Sequence, residues 1–387
     1  KGDPSWRSLA TRRFGFQPAT TQFELTKDKM LEVEIMTPKL LEKSMASHER
    51  RAIVIFQDWQ QGSTTSKPVF QAKQIDYVMS KIAPKYKVQM FANGDLIQAR
   101  NYHEFPNESV SQGLVRIDQQ ADFNMAMLHN SFDHRTAREL AQIESFDVTV
   151  GNHEWNSMHK FTGATHSRYI DETMKAIMNA HDPKGTLGLA ERVQFHQAML
   201  TRQGDYLVGT WSSPKQVDEF GILIQHLILD KMAKGPGGPS IFQMIPFITG
   251  LGGLFDQTDI FGFGHWHYGQ GAVIGEKIGV VGPAWAGLSP YELRLGYRPK
   301  PGFVTIYYGG GEPVSVEYGS MATLANHVIK DGPYSQQSLA DHGFFDDEGH
   351  NPMIHPYAAR MAVPQSAIAK KLWSEVDKLN YNADSTL

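Results

Sequence analysis

The sequence predicts an α/β protein in which two mixed β-sheets pack face to face with helices outside. Three observations carry this expectation. The first half alternates short β-branched runs with helical stretches, the pattern of parallel strands joined by crossover helices. The second half crowds short strands together with turns between them, the pattern of antiparallel pairs. Five short polar strings each follow an apolar run, which places each in the loop at the C-terminal end of a strand.

Residues 1–50 begin polar and irregular, with an Arg-rich string from Trp6-Arg7 to Arg12-Arg13-Phe14. That stretch reads either as the remnant of a small helical DNA-binding module or as an arm lying on the core. Leu31 to Met45 has helical spacing broken at Pro38. The core opens with the strand Ala52-Ile53-Val54-Ile55-Phe56. A helix follows from about Pro68 to Ala83: Pro sits in its first turn after Ser66, and Phe70, Ile75, Tyr77, Val78 and Ile82 give it an apolar side. Val88 to Phe91 is the next strand, and strand, helix, strand at this length makes a parallel pair.

Ile117, Ala121, Met125, Leu128, Phe132, Thr136, Leu140 and Ile143 then mark one long amphipathic helix, leading into the strand Phe146-Asp147-Val148-Thr149-Val150. The later strands read as hairpin-like: 222–224, 260–263, 272–274, 278–281, 303–308 and 314–318. Gly235-Pro236-Gly237-Gly238-Pro239 is a loop by composition. The apolar segment after it, Ile241 to Phe255, is interrupted by Pro246, Gly250, Gly252 and Gly253. It reads either as a core helix or as a lid on the substrate side. Near the end, Ile368, Leu372, Trp373, Val376 and Leu379 form an amphipathic helix from Gln365 to Leu379, suited to packing on the core, on a partner or on a second copy. The expected division is therefore 1–50 as arm or module, 51–320 as the main domain, and 321–387 as a C-terminal extension.

Composition narrows the function classes. At 387 residues, 41% hydrophobic and 20% charged, the chain has ample sequence for a buried core. With no cysteine it can form no disulfide, no Cys-ligated zinc site and no thiol nucleophile. Its sixteen histidines supply imidazoles for a metal site. A net charge of −4 argues against a generally basic nucleic-acid coat while leaving room for a local basic groove. No apolar run is long enough for a membrane span and no leader is visible, so the expected location is intracellular, in the cytoplasm.

The five strings are Asp58-Trp59-Gln60, Gly94-Asp95, Gly151-Asn152-His153-Glu154, Gln225-His226 and Gly264-His265-Trp266-His267. Asp, Asn and His gathered at strand ends suit hard-to-borderline divalent metals. Alone, Asp58 would read as a turn former and His226 as a core histidine; five such loops in series favour ligands. Gln60 shares the face of Asp58 if the chain is extended. Its amide oxygen either coordinates, shifting preference from Zn2+ towards Mn2+ or Mg2+, or only hydrogen-bonds a metal-bound water. Gly94 lets the backbone turn so that Asp95 points into the cluster, where a carboxylate can bridge two cations. His153 is suited to protonating a leaving alkoxide. Trp266 is expected to pack against the sheet.

The series D-x-[H], G-D, G-N-H-[DE], H and G-H-x-H resembles the signature of calcineurin-like metallophosphoesterases, from about Arg51 to about Tyr318, roughly two thirds of the chain. One departure is Gln60, where that family usually has His. Within the family, the Asp-Trp-Gln string and the long helix before Gly-Asn-His-Glu look most like phage-encoded and DNA-repair-nuclease-like members. The resemblance implies a four-layer αββα sandwich and two divalent metal ions, Mn2+ first, with Mg2+, Zn2+ and Fe as alternatives. It implies that Asp58, Gln60, Asp95 and His267 hold one metal, and that Asp95, Asn152, His226 and His265 hold the other. It also implies that His153 faces substrate and that Glu154 orients the loop without touching metal.

The function expected from this reading is two-metal hydrolysis of a phosphodiester, nucleic acid first, with Asp95 and His153 as the catalytic residues. A phosphomonoesterase or small-molecule phosphodiesterase on the same metals is the alternative enzyme. A scaffold that kept the fold and lost activity is the alternative of another class. His103 and Arg100, shortly after the Gly-Asp string, are candidate substrate contacts. The remaining candidates for a DNA groove are Arg7, Arg12, Arg13, Arg116, Arg135 and Arg138. His48, His129, His134, His159, His166, His181 and His196 are expected at the surface or in structural roles.

Overall fold

The computed structural model describes residues 21–24, 31–35, 37–63, 65–98, 117–154, 166–196, 199–203, 206–210, 215–226, 253–267, 269–287 and 301–327. Fifteen strands lie within them: β1 (Thr21–Glu24), β2 (Leu31–Ile35), β3 (Arg50–Phe56), β4 (Lys87–Asn93), β5 (Ile143–Thr149), β6 (Val193–Phe195), β7 (Met199–Gln203), β8 (Tyr206–Thr210), β9 (Lys215–Val217), β10 (Phe220–His226), β11 (Ile260–Gly264), β12 (Gln270–Ile274), β13 (Lys277–Val281), β14 (Gly302–Gly309) and β15 (Val314–Ser320). The helices are α1 (Pro38–Ala46), α2 (Pro68–Tyr77), α3 (Ile117–Phe132), α4 (Ala137–Leu140), α5 (His166–His181), α6 (Gly253–Gln257) and α7 (Met321–Ala325). A single π-helical turn, Val78–Ile82, continues α2.

One sheet has seven strands in the order β2-β15-β14-β3-β4-β5-β6, the other six in the order β1-β12-β13-β11-β10-β9. Both are mixed. β3, β4, β5 and β6 run parallel, and β14, β15 and β2 continue antiparallel. In the smaller sheet β10, β11 and β13 are parallel, flanked by antiparallel β9, β12 and β1. A β7–β8 hairpin stands as a third, two-stranded sheet. Two mixed sheets with flanking helices are what the sequence predicts.

Alternation along β3 explains the layering. Ala52, Val54 and Phe56 join Ile75, Phe123, Phe132, Ile170 and Met174 of the helices in one apolar core. Ile53 and Ile55 face the other way, into a second core with Ile222, Ile224 and Val280 of the six-stranded sheet. The sheets approach closely at Gly262, where a β-carbon would lie 2.9 Å from Ile55 Cδ1 across the gap. Its neighbours Phe261 and Phe263 therefore turn to the opposite face, where Phe255 of α6 stacks on Phe261. Among the described residues, α6 is what represents the outer layer on that side.

Several details depart from the sequence reading. Leu31–Ile35 is a strand paired with β15, and helix begins only at Pro38, after Thr37 caps it. Leu31, Val33 and Ile35 alternate with Glu32 and Glu34, a period-two pattern that wins over helical spacing. The long helix expected to run to Ile143 stops at Phe132. Thr136 and Glu139 form a capping box that starts α4, and Ile143 is already the first residue of β5. The hairpin-like series instead contains the parallel set β10, β11 and β13; only β12–β13 and β14–β15 are consecutive antiparallel pairs. Ser66 does not cap α2, because its hydroxyl is spent on the Trp59 carbonyl. Strands β1 and β2 pair into the six- and seven-stranded sheets respectively, so strand pairing reaches N-terminally of residue 50. The Arg-rich N-terminal string, the Gly-Pro loop and the helix expected at 365–379 lie outside the described residues.

Ion pairs also tie the two sheets together. Arg51 of β3 bonds Glu144 and, across to the turn before β10, Asp218. Asp147 of β5 is fully buried and accepts from Ser145 Oγ at 2.7 Å, His196 Nε2 at 2.8 Å and Lys215 Nζ of β9 at 2.8 Å. Burial alone would raise its pKa, but His196, Lys215 and Ser145 outweigh that and hold it below the usual carboxylate value. A folded pKa below the unfolded one, about 3.9, means the stabilisation is present at neutral pH and is lost as pH falls through the folded value. Asp147→Asn should cost about 2–3 kcal/mol in urea unfolding at pH 7, and the gap from wild type should narrow below about pH 4. An unchanged gap across that range would show that the carboxylate's charge is not what stabilises.

Candidate metal centre

All five strings end parallel strands: β3, β4 and β5 in one sheet, β10 and β11 in the other. The register that aligns those strands delivers Asp58, Asp95, Asn152, His226, His265 and His267 to one edge of the sandwich. Asp58 and Asp95 are buried there, with exposures of 0% and 1%.

The contacts fall into two adjoining groups. In the first, His226 Nε2 lies 3.1 Å from Asp95 Oδ2 and 3.2 Å from Asn152 Oδ1, and His265 Nδ1 is 2.7 Å from the same Asn152 oxygen. Ligand atoms of Asp95, His226 and His265 all lie within 4.8 Å of one another. In the second, His267 Nε2 is 3.2 Å from Asp58 Oδ1 and 3.1 Å from the Gln60 amide. The His265 amide donates to Asp58 Oδ2 at 3.2 Å and links the two groups. Gln60 therefore stands beside His267, and the structure brings all seven expected ligands together.

The backbone that achieves this is unusual. Asp58, Gln60, Asp95, His265 and His267 have φ of 49°, 46°, 51°, 91° and 58°. Asp218 is the one other non-glycine residue with positive φ among those described. The extended-chain reasoning for Gln60 is thus corrected: left-handed kinks, not strand alternation, aim its side chain and those of His265 and His267. Each such residue costs on the order of 1–3 kcal/mol, and a fold tolerates that cost mainly where function requires the geometry. Gly94 (φ 69°) is a close-approach position as well, since a β-carbon there would lie 2.6 Å from Gly151 Cα and 2.8 Å from His226 Cγ.

Two imidazoles are pinned by backbone carbonyls. His226 Nδ1–H donates to Asn93 O at 2.7 Å, and His153 Nδ1–H donates to Gln98 O at 2.5 Å. Each ring thereby turns Nε2 towards the cluster, the usual arrangement of a histidine prepared to bind metal or move a proton. His153 Nε2 is 3.7 Å from Asp95 Oδ2, and its own amide donates to Asp95 Oδ1 at 2.8 Å. Trp266 is buried in the apolar cluster built on the six-stranded sheet, packed against the sheet as expected.

Glu154 has a larger task than its position suggests. Its buried carboxylate accepts the amides of Asp95 at 2.8 Å, Leu96 at 2.7 Å, Ile97 at 3.3 Å and Gly151 at 3.0 Å. Burial, and then the nearby Asp95 charge, push its pKa up to about 7. Burial also works to raise Asp95, but His226 and His153 outweigh it and hold that carboxyl well below its ordinary value. His226, despite burial, is lifted to about 9 by Asp95 and Asp58. His265 is depressed to about 3 by burial and by His226. A proton on His226 balances the buried carboxylates where a cation otherwise could.

The donor set fits a divalent metal. It combines carboxylate, amide and imidazole groups, and the buried Asp58 Oδ1 accepts no well-aligned hydrogen bond, having only the ring nitrogens of His267 at 3.2 Å and His226 at 3.9 Å beside it. His103 and Arg100 lie outside the described residues, as do Arg7, Arg12, Arg13 and Arg116. Arg135 is corrected: it is buried against Asp76 and cannot line a groove. His129 and His196 bond Asp133 and Asp147, in the structural roles expected of them. The residues missed by sequence reasoning are Gln57, Asn93 and Thr149, uncharged and buried, which support the loops from behind.

No family model and no curated protein sequence matches the chain. Among solved structures it is similar to a putative 5'-nucleotidase from Staphylococcus aureus in complex with alpha-ketoglutarate, at 12% identity and a TM-score of 0.33, over 81% of this chain and 58% of that one. It is similar to the calcineurin-like phosphoesterase YfkN from Bacillus subtilis at 10% identity and a TM-score of 0.31, over 81% of this chain and 99% of that one. It is also similar to zinc-complexed Vps29 from Entamoeba histolytica at 20% identity and a TM-score of 0.21, over 36% of this chain and 69% of that one. The chain thus spans a little over half the length of the nucleotidase. Among the described residues, no helix is long and apolar enough to cross a membrane.

Glu154→Gln would turn an amino group towards two of the four backbone donors. It should cost roughly 2–4 kcal/mol in urea unfolding of the metal-free protein and weaken metal binding as well. A cost below about 0.5 kcal/mol would mean that water replaces the carboxylate and that the loops do not depend on it.

Proposed function

We propose that this chain is a metal-dependent phosphoester hydrolase. The observation that carries the reading is the convergence of Asp58, Asp95, Asn152, His226, His265 and His267 on one edge, with left-handed backbone at four of the six. Asp95, Asn152, His226 and His265 would hold one divalent ion, and Asp58, Gln60 and His267 a second that shares Asp95. Such ions neutralise phosphoryl oxygens and lower the pKa of bound water. The protein's own part is orientation. Glu154 holds the two loops that carry Asp95, Asn152 and His153, and the Gln98 carbonyl fixes the His153 ring. His153 Nε2 then faces the cluster, placed to give a proton to the departing oxygen.

Asp95→Asn should lose metal and nearly all turnover, because it removes a charge from the centre of the cluster. His153→Ala should instead keep its metal and lose about 10²–10⁴-fold in rate on esters with poor leaving groups, and less on aryl esters. Metal content measured beside activity separates the two roles. If metal falls in step with rate in His153→Ala, then His153 is a ligand.

For substrate we propose a phosphodiester, nucleic acid first, on the sequence resemblance to nuclease-like phosphoesterases. The alternative is a small-molecule ester, in keeping with the nucleotidase among the similar structures. Of the arginines once considered for a groove, Arg138 is the described residue that remains exposed. With Mn2+ present, DNA binding should weaken by about 0.7–0.9 log units per log unit of salt for each phosphate contacted, while turnover of a bis-aryl phosphate should hardly respond. Small-diester turnover without DNA binding or cleavage at low salt would leave a small-molecule phosphodiesterase.

A further inference from the structure

We infer that Asn93 is a positioning residue for the metal centre, acting through His226 and across the gap between the sheets. The inference rests on the proposed role of His226 as a metal ligand. Asn93 is the last residue of β4 and is fully buried. Its Nδ2 donates to Gln57 Oε1 on the β3 side at 3.1 Å and to the Gln225 carbonyl of β10 at 3.0 Å. Its Oδ1 accepts from Thr149 Oγ1 of β5 at 3.0 Å. Its own carbonyl accepts His226 Nδ1–H at 2.7 Å. The side chain thus uses both amide hydrogens and its oxygen, and the backbone supplies a fourth bond.

Two of these four bonds cross from the seven-stranded to the six-stranded sheet, and both reach consecutive residues of β10, Gln225 and His226. The side chain fixes where β10 ends, and the carbonyl fixes which nitrogen of His226 faces the cluster. Gln57 is itself anchored, since its Nε2 donates to Gly282 O at 2.7 Å beyond β13. Gly264 keeps the space open, because a β-carbon there would lie 2.5 Å from His226 Nδ1 and 3.2 Å from Asn93 Nδ2. Asn93 therefore ties the ends of β3, β5 and β10 to one point directly behind Asp95. No charged group replaces it, so its effect is geometric and its partners cannot be satisfied by a simple apolar substitute.

The test compares Asn93→Leu and the milder Asn93→Ser with Gln89→Leu. Gln89 is buried on the same strand at its other end, where it bonds Tyr308 and Glu144, and it serves as a control for the general cost of removing a buried amide. Zinc and manganese affinity is measured by calorimetry on the full chain. His226 is followed by long-range nitrogen–proton NMR of the zinc-loaded protein. Wild type should show zinc on His226 Nε2 and a slowly exchanging Nδ1–H. The Asn93 variants should bind metal about 10–100-fold more weakly and lose that slow proton, while Gln89→Leu keeps both. Equal losses in Gln89→Leu, or unchanged affinity in Asn93→Ser with an intact Nδ1–H, would overturn the inference. So would a wild-type His226 bound through Nδ1, a result that needs no variant to fold. A wild type that takes up no divalent metal would remove the metal centre itself, a separate failure.

Discussion

Everything at the candidate site depends on bringing two β-sheets closer at one edge than apolar side chains alone would allow. Packed sheets normally stand about 10 Å apart. Here hydrogen bonds replace that spacing at the strand ends: Asn93 reaches Gln225, and His226 reaches Asn93. Glycines at 94, 151 and 264 leave room for the approach, each where a side chain would strike backbone or the His226 ring. Further down, Gly262 lets Ile55 and Ile224 meet, and the salt links of Arg51 and Asp147 hold the same two layers at other heights. The apolar core supplies the bulk of the stability, but it does not specify which edge closes.

That closure accounts for the pattern of backbone strain. A chain leaving a buried parallel strand in ordinary extended form would carry its side chains past the gap. Left-handed turns at Asp58, Gln60, Asp95, His265 and His267 bend it back inward. Asp and His adopt that conformation more often than most residues, though it stays uncommon for them, and Gln has no such tolerance. Their presence there is a sign that side-chain chemistry was held at the expense of backbone comfort.

Much of this was legible in the sequence, and the failures have physical causes. The nine strands read from apolar runs are all present; six of them are buried parallel strands, which are written as continuous runs of Val, Ile and Phe. The polar strings at their ends announced themselves by residue type, and the structure brings them together. What was not legible depended on partners distant in the chain. Three-residue strands such as Val193–Phe195 and Lys215–Val217 exist by virtue of the strand beside them. The parallel order of β10, β11 and β13 follows from crossovers, not from any local pattern. Asn93 carries no motif, since its meaning lies in Gln57, Thr149, Gln225 and His226. By contrast, the capping box at Thr136 and Glu139 and the alternation at Leu31, Val33 and Ile35 were both readable. Longer helical periodicities running over them masked the signal.

Glu154 has a consequence of another kind. Its two oxygens are shared between the loop after β4, through Asp95, Leu96 and Ile97, and the loop after β5, through Gly151. Neither loop can leave without stripping acceptors from the other, so the two have no separate stabilities and behave as one cooperative unit. A local opening large enough to free Asp95 must also free Asn152 and His153. The centre is then assembled whole or not at all, and half-built states able to hold a stray ion loosely are kept sparse.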